Sequence, residues 1–369
     1  MKIGILGAGQ LGRMLALAGL PLGMEFRFFD PEPQATAGKL APLVSADWRD
    51  RDALHRFAEG VDAVTLEFEN VPVETALLLA EATPVYPPPA ALAVAQDRLN
   101  EKRLFQQCGI PTPQFAPANS LAELKEALEI TGLPAVAKTR RLGYDGKGQM
   151  VLRDMSQAEA CWAELGGQPL VIEQFVPFLR ELSQVVARGH DGSIADWSIT
   201  RNVHREGMLR LSEAGPETAA GTTSDTAREY ASRLAVHLEY RGVLALEMFQ
   251  TEQGLMANEI APRVHNSGHW TQDGAETCQF ENHLRAVAGW PMGDCSRRSF
   301  SAMVNLIGAV PAPQDVLRCA GAHLHLYGKS ARPGRKLGHI NVTAESAVAL
   351  RDRLRPIARI TPCPDFDAR

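Results

Sequence analysis

The order of apolar and polar positions divides the first ninety residues into alternating strands and helices. Strand patterns at 3–6, 25–30 and 63–69 are separated by helical periodicity at 13–20 and 73–81. Short apolar runs bounded by turn residues predict buried strands, and their alternation with helices predicts a parallel sheet. We therefore expect a Rossmann-like α/β domain at residues 1–89.

The pattern after residue 89 predicts α+β units. A helix is expected at 90–107, and capping boxes at Ser120 and Ser156, each with a glutamate three residues later, open two more helices among strands that begin at 135, 150 and 169. Longer alternating strands lie between 180 and 212. They are followed by a helix at 224–241 with Gly242 as its C-cap and by a hairpin at 243–260. The expected units are 90–176, 177–295 and a small β-rich segment at 296–369.

Residues 135–149 place a lysine in a strand, next to a glycine-rich loop. Lys138 lies in the apolar run that begins at Ala135, where a charge is costly unless an opposite charge meets it. Three glycines follow between positions 143 and 148, and glycine lets consecutive amides converge on an anion. The pattern favours a flap that holds a triphosphate. For the Gly-Lys-Gly stretch taken alone, a solvated surface turn is the better interpretation.

The first strand runs into the motif G-A-G-Q-L-G at residues 7–12, and Asp30 closes the second strand. By itself this pattern indicates dinucleotide binding, with an acid for the ribose. The signal is weak, because glycine-rich turns between strand and helix bind other ligands too. Glu69 and Asn70 follow the third strand, at the sheet edge where parallel sheets bind ligands. Glu67 is as well explained as an ordinary loop acid.

Each strand of the hairpin at 243–260 carries one glutamate. If the connection centres on Gln253, Glu247 and Glu259 lie opposite each other on one face. When two carboxylates lie so near each other in a half-buried sheet, their repulsion destabilises the sheet unless a cation lies between them. Carboxylates that leave room for waters and phosphate oxygens suit Mg²⁺. We favour a metal site over two solvated glutamates, because the neighbouring positions are apolar.

Two polar segments follow the hairpin. Residues 261–270 combine proline and glycine with an arginine, two histidines, an asparagine and a serine, which makes them a candidate binding loop. Residues 329–336 carry Lys329, Arg332, Arg335 and Lys336 around a Pro-Gly turn. A charge run is usually a solvated face, whereas a tight turn could gather these cations onto one phosphate. Both interpretations stay open at this point.

Composition narrows the class of protein. The 369 residues are 45% hydrophobic and 22% charged, as in globular proteins with two to four domains. The net charge of -5 argues against wholesale binding to nucleic acid or to an anionic membrane. Six scattered cysteines without a CxxC motif form neither a zinc site nor a disulfide framework. With no signal-peptide pattern and no long apolar stretch, we expect a cytoplasmic protein that does not insert into a membrane.

Five strings together resemble the ATP-grasp superfamily and, within it, the 5-(carboxyamino)imidazole ribonucleotide synthetase family. They lie at residues 7–14, 67–71, 143–149, 258–269 and 335–339. The first string is generic, and the last three in combination are specific. The resemblance covers essentially the whole chain. It implies an ATP-grasp fold with an N-terminal Rossmann-like (pre-ATP-grasp) domain and a small C-terminal β-rich domain.

The resemblance also implies roles for individual residues. The ATP-binding set would be Arg98, Lys138, Gly143, Tyr144, Asp145, Gly146, Lys147, Gly148, Gln149, Glu173, Gln174, Phe175, Val176, Glu181, His204, Asn258 and Glu259. Glu247 and Glu259 would hold Mg²⁺, with Mn²⁺ as an alternative. The substrate-binding set would be Gln10, Leu11, Glu69, Asn70, Arg263, His265, Asn266 and Ser267, with Lys329, Arg332, Arg335 and Lys336 as candidates for a 5′-phosphate. Tyr144, Asp145, Lys147 and Arg263 would be catalytic, with Arg263 holding the bicarbonate-derived anion and Asp145 orienting or deprotonating an amine.

The reaction implied by the resemblance is the carboxylation of the exocyclic amine of 5-aminoimidazole ribonucleotide in purine biosynthesis. It would use ATP and bicarbonate, proceed through carboxyphosphate, and be carried out by a homodimer. A different ATP-grasp carboxylate–amine ligase, such as a formate-dependent glycinamide ribonucleotide formyltransferase, is one alternative. An NAD-dependent Rossmann dehydrogenase and a catalytically silent ATP-binding regulator are the others.

Overall fold

The computed structural model describes residues 1–143, 147–215 and 221–361. The first domain is a four-stranded parallel sheet in the order β3-β2-β1-β4, flanked by helices. This confirms the α/β prediction, although the third predicted strand ends at Leu66, so that Glu67 and Glu69 lie in the turn after it. The elements are β1 (Lys2–Leu6), α1 (Gln10–Gly19), β2 (Glu25–Phe29), β3 (Leu43–Val44), α2 (Arg51–Ala58), β4 (Ala63–Leu66) and α3 (Val73–Ala80).

The second unit is a four-stranded antiparallel sheet in the order β5-β8-β6-β7, with helices beside it. Its strand β6 carries Lys138, as predicted, and runs between β8 and the flap strand β7. The elements are α4 (Pro89–Ala95), α5 (Arg98–Gln107), β5 (Phe115–Ala118), α6 (Leu121–Thr131), β6 (Ala135–Thr139), β7 (Gln149–Leu152), α7 (Ala158–Glu164) and β8 (Leu170–Gln174).

Two helix predictions in this unit are wrong. The single helix expected at 90–107 is two helices, because the Asp97 carboxylate accepts the Leu99 N–H at 3.1 Å and starts α5 as its N-cap. The second capping box is formed by Asp154 and Gln157, two residues before the predicted pair. The Asp154 side chain accepts the Ser156 N–H at 2.8 Å, so a short 3₁₀ turn precedes α7. Ser120 caps α6 as expected, because its hydroxyl accepts the Glu123 N–H at 3.2 Å. The reciprocal bond of the predicted box is displaced by one residue, since the Glu123 carboxylate accepts the Asn119 N–H at 2.8 Å.

The remaining strands form one nine-stranded antiparallel sheet, in the order β14-β13-β9-β11-β12-β15-β17-β16 with β10 paired to β9. The predicted boundary at 295/296 therefore lies inside a continuous sheet. Its elements are β9 (Arg180–Arg188), β10 (Ile194–Asp196), β11 (Thr200–Arg205), β12 (Met208–Ala214), α8 (Thr222–His237), β13 (Gly242–Thr251), β14 (Gly254–Ala261), α9 (Thr271–Gly274), α10 (Gln279–Ala288), β15 (Phe300–Ile307), α11 (Pro313–Leu317), β16 (Ala322–Leu326), β17 (Lys336–Ala344) and α12 (Ala347–Ile360).

Helix α8 ends at His237, four residues before the predicted end. The chain turns at Glu239, whose φ is 46°, so that the Tyr240 ring enters the core. Gly242 is then the first residue of β13 and not a C-cap. Its φ of 118° suits a glycine at the start of this strand, and an added Cβ would meet the His283 ring at 2.9 Å.

The first sheet and the nine-stranded sheet share one apolar core. Ile3 and Phe28 from the first domain belong to the same buried cluster as Val185 and Val243 from the nine-stranded sheet and Phe280 from α10. Because well-packed interiors resist deformation, this shared core fixes the first domain against the large sheet. None of the helices in the described ranges is long and apolar enough to cross a bilayer.

Candidate active site

A cleft of about 860 Å³ opens where the three sheets meet. Most of the site residues expected from the sequence lie on its walls: Gln10, Leu11, Glu69, Asn70, Arg98, Lys138, Gly143, Gln149, Glu173, Gln174, Phe175, Val176, Glu181, His204, Glu247, Asn258, Glu259, Arg263, His265, Asn266, Lys329, Arg332 and Lys336. Lys147, Gly148, Ser267 and Arg335 do not line it. Tyr144, Asp145 and Gly146 lie outside the described residues.

A β-bulge brings the two hairpin glutamates together. From the two-residue turn, Thr251 pairs with Gly254 and Met248 with Ala257, after which the register shifts by one and Glu247 pairs with Glu259. Asn258 is the extra residue. Without the shift, Glu247 would face Asn258, and Glu259 would point to the other side of the sheet. The predicted pairing is therefore confirmed, although it depends on the bulge.

The two facing carboxylates differ in their proton affinity. Burial and the charge of Glu259 raise the pKa of Glu247 to about 7. Burial also disfavours a charged Glu259, but Arg98, whose Nη1 lies 2.9 Å from Glu259 Oε2, outweighs that effect and lowers the pKa of Glu259. A pair of like charges in this environment would be stabilised by a cation between them.

The oxygen donors present here fit a hard divalent cation. Glu247 and Glu259 face each other at the bulge, and Asn258 also lines the cleft. The remaining coordination positions of an ion held here would be filled by water or phosphate from the open cleft. Among the described residues there is no group of three or more His, Cys, Asp and Glu side chains arranged to hold a metal. Mg²⁺ is usually held by one or two carboxylates together with substrate phosphates, so a pair is sufficient.

The opposite charge that Lys138 requires is supplied by Glu173. Lys138 Nζ lies 3.1 Å from Glu173 Oε2, and Lys102 Nζ lies 3.2 Å from the same oxygen. Burial alone would raise the pKa of Glu173, but the two ammonium groups outweigh it and lower that pKa. Burial lowers the pKa of Lys138 in turn, although Glu173 opposes the shift. Two lysines around one carboxylate leave positive charge at the cleft wall, where a phosphate would be attracted.

Another ion pair on the cleft wall joins His204 and Glu181. His204 Nδ1 is 2.5 Å from Glu181 Oε2. Burial works against a charged imidazole, but the Glu181 hydrogen bond and the charges of Glu247 and Glu259 outweigh it and raise the pKa of His204. Both residues are half-exposed towards the cleft, so their polar atoms are available to a ligand.

The amides of the glycine-rich turn are already occupied by a side chain of this protein. Glu67 Oε1 accepts the Gly9 N–H at 2.7 Å, and Glu67 Oε2 accepts the N–H groups of Leu11 and Gly12, both at 3.1 Å. Burial raises the pKa of Glu67, and the hydrogen bonds from the turn oppose that shift. A dinucleotide would need these amides for its diphosphate. The dehydrogenase alternative is therefore wrong, and Glu67 is an anchor of the turn and not a solvated loop acid.

The loop after the hairpin joins the first domain to the metal-site candidates. Arg263 Nη2 lies 2.8 Å from Glu69 Oε2, and His265 Nε2 lies 3.2 Å from Glu247 Oε1. The Ser267 N–H donates to His265 Nδ1 at 3.3 Å, which assigns the imidazole proton to Nε2. Burial lowers the pKa of His265 well below its usual value, which favours the neutral ring beside Glu247. Ser267 thus orients His265 from behind the cleft wall.

The cationic segment at 329–336 contributes three of its four charges to the cleft. Lys329 donates to the side-chain oxygen of Gln10 in the first domain. Burial lowers the pKa of Lys329 to about 8. Arg335 instead donates to the Ser330 hydroxyl at 2.9 Å, outside the cleft. The interpretation as a wholly solvated charge run is therefore wrong for Lys329, whereas Arg332 lines the cleft as an exposed residue and Lys336 as a half-buried one.

Sequence reasoning missed Glu101 and Lys102 as parts of the site. Both are buried and contact the backbone of β14. Their spacing from Arg98, three and four positions along one helix, places all three side chains on one face. That spacing is the signal that could have revealed them.

Sequence models of three known domains match the chain in succession. They are described as a ribonucleotide synthetase preATP-grasp domain at residues 1–96, an ATP-grasp domain at 103–280, and a phosphoribosylaminoimidazole carboxylase C-terminal domain at 301–353. The order matches the domain order expected from the sequence. The C-terminal match covers β15, β16 and β17, which are strands of the same nine-stranded sheet as the ATP-grasp strands.

Relatives and solved structures extend the match to the full length. An N5-carboxyaminoimidazole ribonucleotide synthase of Pseudomonas aeruginosa is 50% identical, over 97% of this chain and 98% of its own. A crystal structure of the synthetase from Thermus thermophilus has a TM-score of 0.95 at 52% identity, covering 99% of this chain and 100% of its own. The Aspergillus clavatus enzyme, in complex with ADP and 5-aminoimidazole ribonucleotide, has a TM-score of 0.90 at 29% identity, covering 97% and 98%. The chain belongs to the N5-carboxyaminoimidazole ribonucleotide synthase family of ATP-grasp ligases.

Proposed function

We propose that this protein carboxylates the exocyclic amine of 5-aminoimidazole ribonucleotide, consuming ATP and bicarbonate and releasing ADP and phosphate. The observation that carries the proposal is one cleft with two differently charged ends. At one end a bulge sets two carboxylates face to face beside Lys138. At the other end the glycine-rich turn meets Lys329. The first end suits a metal–nucleotide complex, and the second suits a sugar phosphate.

Glu247, Glu259 and the Asn258 amide are the residues that would hold Mg²⁺, or Mn²⁺ in its place. When bound, the ion would neutralise charge on the ATP phosphates and polarise the γ-phosphoryl group. Arg98 and Lys138 would contact the same phosphates. The segment from Gln174 to Val176 would lie beside the adenine, with Glu181 on the ribose hydroxyls and His204 beside it; all of these residues line the cleft, and His204 contacts Glu181.

The first chemical step activates bicarbonate. A bicarbonate oxygen attacks the γ-phosphorus of ATP, the bond from that phosphorus to the bridging oxygen breaks, and ADP leaves. The product is carboxyphosphate. Glu173 opposes the effect of burial on Lys138 and so favours its charged form, which would stabilise the charge that develops on the transferring group. Lys147 and Tyr144, both in the glycine-rich flap, would approach when the flap closes over the phosphates.

The second step forms the carbon–nitrogen bond. The exocyclic amine attacks the carbonyl carbon of carboxyphosphate or of the CO₂ released from it. When carboxyphosphate itself reacts, the bond from its carbon to the phosphate oxygen breaks and phosphate leaves. Arg263 would hold the anion, and Asp145 would take the proton lost by the amine. Closure of the flap would exclude water, which otherwise hydrolyses the intermediate.

The ribonucleotide would lie between the first domain and the cationic segment. Gln10, Leu11, Glu69 and Asn70 line one side of this region. His265, Asn266 and the three cations at 329, 332 and 336 line the other. Lys329 lies near Glu67 and donates a hydrogen bond to Gln10. When the ribonucleotide binds, a phosphate oxygen would replace Gln10 as the acceptor.

We further propose a homodimer that works in the cytoplasm. The dimer rests on the family resemblance, and light scattering coupled to gel filtration would test it. The five cysteines within the described ranges are all free thiols, which is consistent with a reducing compartment.

The deciding experiment measures ADP release in bicarbonate buffer, with and without 5-aminoimidazole ribonucleotide. We expect release to be stimulated by the ribonucleotide and to depend on added Mg²⁺. The Glu259→Gln variant serves as the control for the metal site. Release that does not respond to the ribonucleotide would overturn the proposal.

A further inference from the structure

Helix α5 presents three ionisable side chains to the edge of β14. Arg98, Glu101 and Lys102 lie on one helical face, because residues three and four positions apart are neighbours. Strand β14 is the edge strand of the nine-stranded sheet. Glu101 is 2% exposed and Lys102 is fully buried. Charges buried so deeply are costly unless they are hydrogen-bonded, so their partners indicate what they do.

Those partners are the two peptide groups that flank Glu259. Glu101 Oε1 accepts the Ile260 N–H at 2.6 Å. Lys102 Nζ donates to the Asn258 carbonyl oxygen at 2.6 Å. The first of these groups belongs to the peptide bond after Glu259, and the second belongs to the bond before it. Arg98 contacts the Glu259 carboxylate itself.

These contacts coincide with the bulge. An edge strand has backbone groups without a strand partner, and a bulge disrupts its ladder further. Asn258 is the residue that shifts the register so that Glu259 faces Glu247. A strand without the bulge would turn Glu259 to the opposite face. The hydrogen bonds from α5 therefore support the one local conformation in which the two carboxylates meet.

We propose that Glu101 and Lys102 are positioning residues for the divalent cation, acting through the β14 backbone to hold the Asn258 bulge. This inference rests on the proposed function, because it assumes that Glu247 and Glu259 bind the ion. Lys102 also contacts Glu173, so it connects the bulge with the strand that carries the phosphate-binding lysine. Glu101 is the cleaner residue to test, because its carboxylate accepts the Ile260 N–H beside the bulge, whereas Lys102 also forms an ion pair with Glu173.

The test compares Glu101→Met with Glu101→Gln. Methionine has a similar length but no acceptor for the Ile260 N–H, whereas glutamine keeps a side-chain oxygen. Electron paramagnetic resonance titration of Mn²⁺ in the presence of ADP measures metal binding without turnover. We expect Glu101→Met to weaken Mn²⁺ binding about tenfold or more, as other residues that orient metal ligands do. Glu101→Gln is expected to restore affinity close to that of the unaltered protein.

A second measurement separates positioning from general damage. ADP binding in EDTA reports the nucleotide pocket without metal, and we expect Glu101→Met to leave it unchanged. Arg103→Leu, on the exposed face of the same helix, is the matched control and should change neither affinity. If Glu101→Met does not fold, Lys102→Met is measured instead. We expect it to weaken Mn²⁺ binding by a larger factor than ADP binding in EDTA.

The outcomes are distinguishable. Glu259→Gln should abolish Mn²⁺ binding, and if it does not, the proposed metal site fails. If Glu259→Gln loses the ion but Glu101→Met binds it normally, only the positioning role is overturned. Equal weakening of Mn²⁺ binding and metal-free ADP binding by Glu101→Met would also overturn it, because that result indicates a general structural defect.

Discussion

Replacing Glu173 with glutamine is expected to destabilise the protein strongly at neutral pH and only slightly at alkaline pH. Glu173 is buried, and its Oε2 atom lies 3.1 Å from Lys138 Nζ and 3.2 Å from Lys102 Nζ. Glutamine keeps the shape of the side chain and removes the charge. The variant must therefore bury two ammonium groups without the carboxylate that they share.

The size of the loss follows from two limits. Removing one partner of a buried ion pair typically costs about 3–5 kcal/mol. A lysine can instead release its proton, which costs about 1.4 kcal/mol for each pH unit below its unfolded pKa near 10.4. For each lysine, that limit is about 5 kcal/mol at pH 7 and about 1.4 kcal/mol at pH 9.4. The folded variant then binds fewer protons than the unfolded chain, so its stability relative to the unaltered protein rises with pH.

Urea unfolding at pH 7.0 and pH 9.4, followed by tryptophan fluorescence and circular dichroism, measures the difference. Glu159→Gln is the matched control, since Glu159 pairs with Lys125 in an exposed ion pair at 3.0 Å. We expect that control to change the free energy of unfolding by less than about 0.5 kcal/mol at both pH values. A loss in Glu173→Gln that is constant or grows towards pH 9.4 would refute the reasoning.

Three further predictions concern the cleft. The kcat/KM for the ribonucleotide should fall as pH rises above about 8, because the pKa of Lys329 is lowered to about 8 and its charge is lost above that value; Lys329→Arg should remove this fall, and an unchanged profile would exclude Lys329 as a phosphate ligand. Glu67→Leu leaves three backbone N–H groups without their acceptor, and we expect a loss of at least about 1–3 kcal/mol in urea unfolding together with a raised KM for the ribonucleotide and an unchanged KM for ATP. Glu259→Gln should reduce kcat by about a hundredfold or more in steady-state assays of ADP release, since it removes a metal ligand that acts in the transition state; near-normal turnover would place the ion elsewhere.

Much of the architecture followed from local patterns. Three of the four strands of the first domain, the helix after Ser120 and the hairpin that carries Glu247 and Glu259 were predicted close to where the structure has them, whereas the two-residue strand β3 was missed. Hydrophobic periodicity and capping residues act over a few neighbouring positions, so these elements can be predicted from the sequence alone. The misplaced elements involve competing local signals. Asp97 is the N-cap of a new helix within an otherwise continuous helical pattern. Asp154, and not Ser156, caps the turn that precedes α7.

The site residues were found mainly through motifs, and their partners were not. Lys138 was recognised as a charge in need of a partner. The helical spacing of Lys102 from Arg98 could have placed Lys102 at the site, but it could not show that Lys102 shares the Glu173 carboxylate. The two interpretations of Glu67, a site residue or an ordinary loop acid, could not be separated, because its three acceptor contacts are formed with residues 55 to 58 positions earlier. Contacts of that separation depend on how two elements pack, which a local pattern does not contain.

The sequence alone determined the types of element, the order of the domains and the presence of paired acids, lysines and a glycine-rich flap, since these depend on residue identity and short-range spacing. Only the tertiary structure decided which groups from distant parts of the chain face each other, and how the hairpin achieves the pairing of its two glutamates. The bulge at Asn258 turns Glu259 towards Glu247, and helix α5 supplies hydrogen bonds to the peptide groups beside it. The carboxylate of Glu67 occupies the amides that a dinucleotide would need. The physical reason is that the cost of burying charges and backbone amides is met by partners from distant parts of the chain, and folding alone brings those partners together.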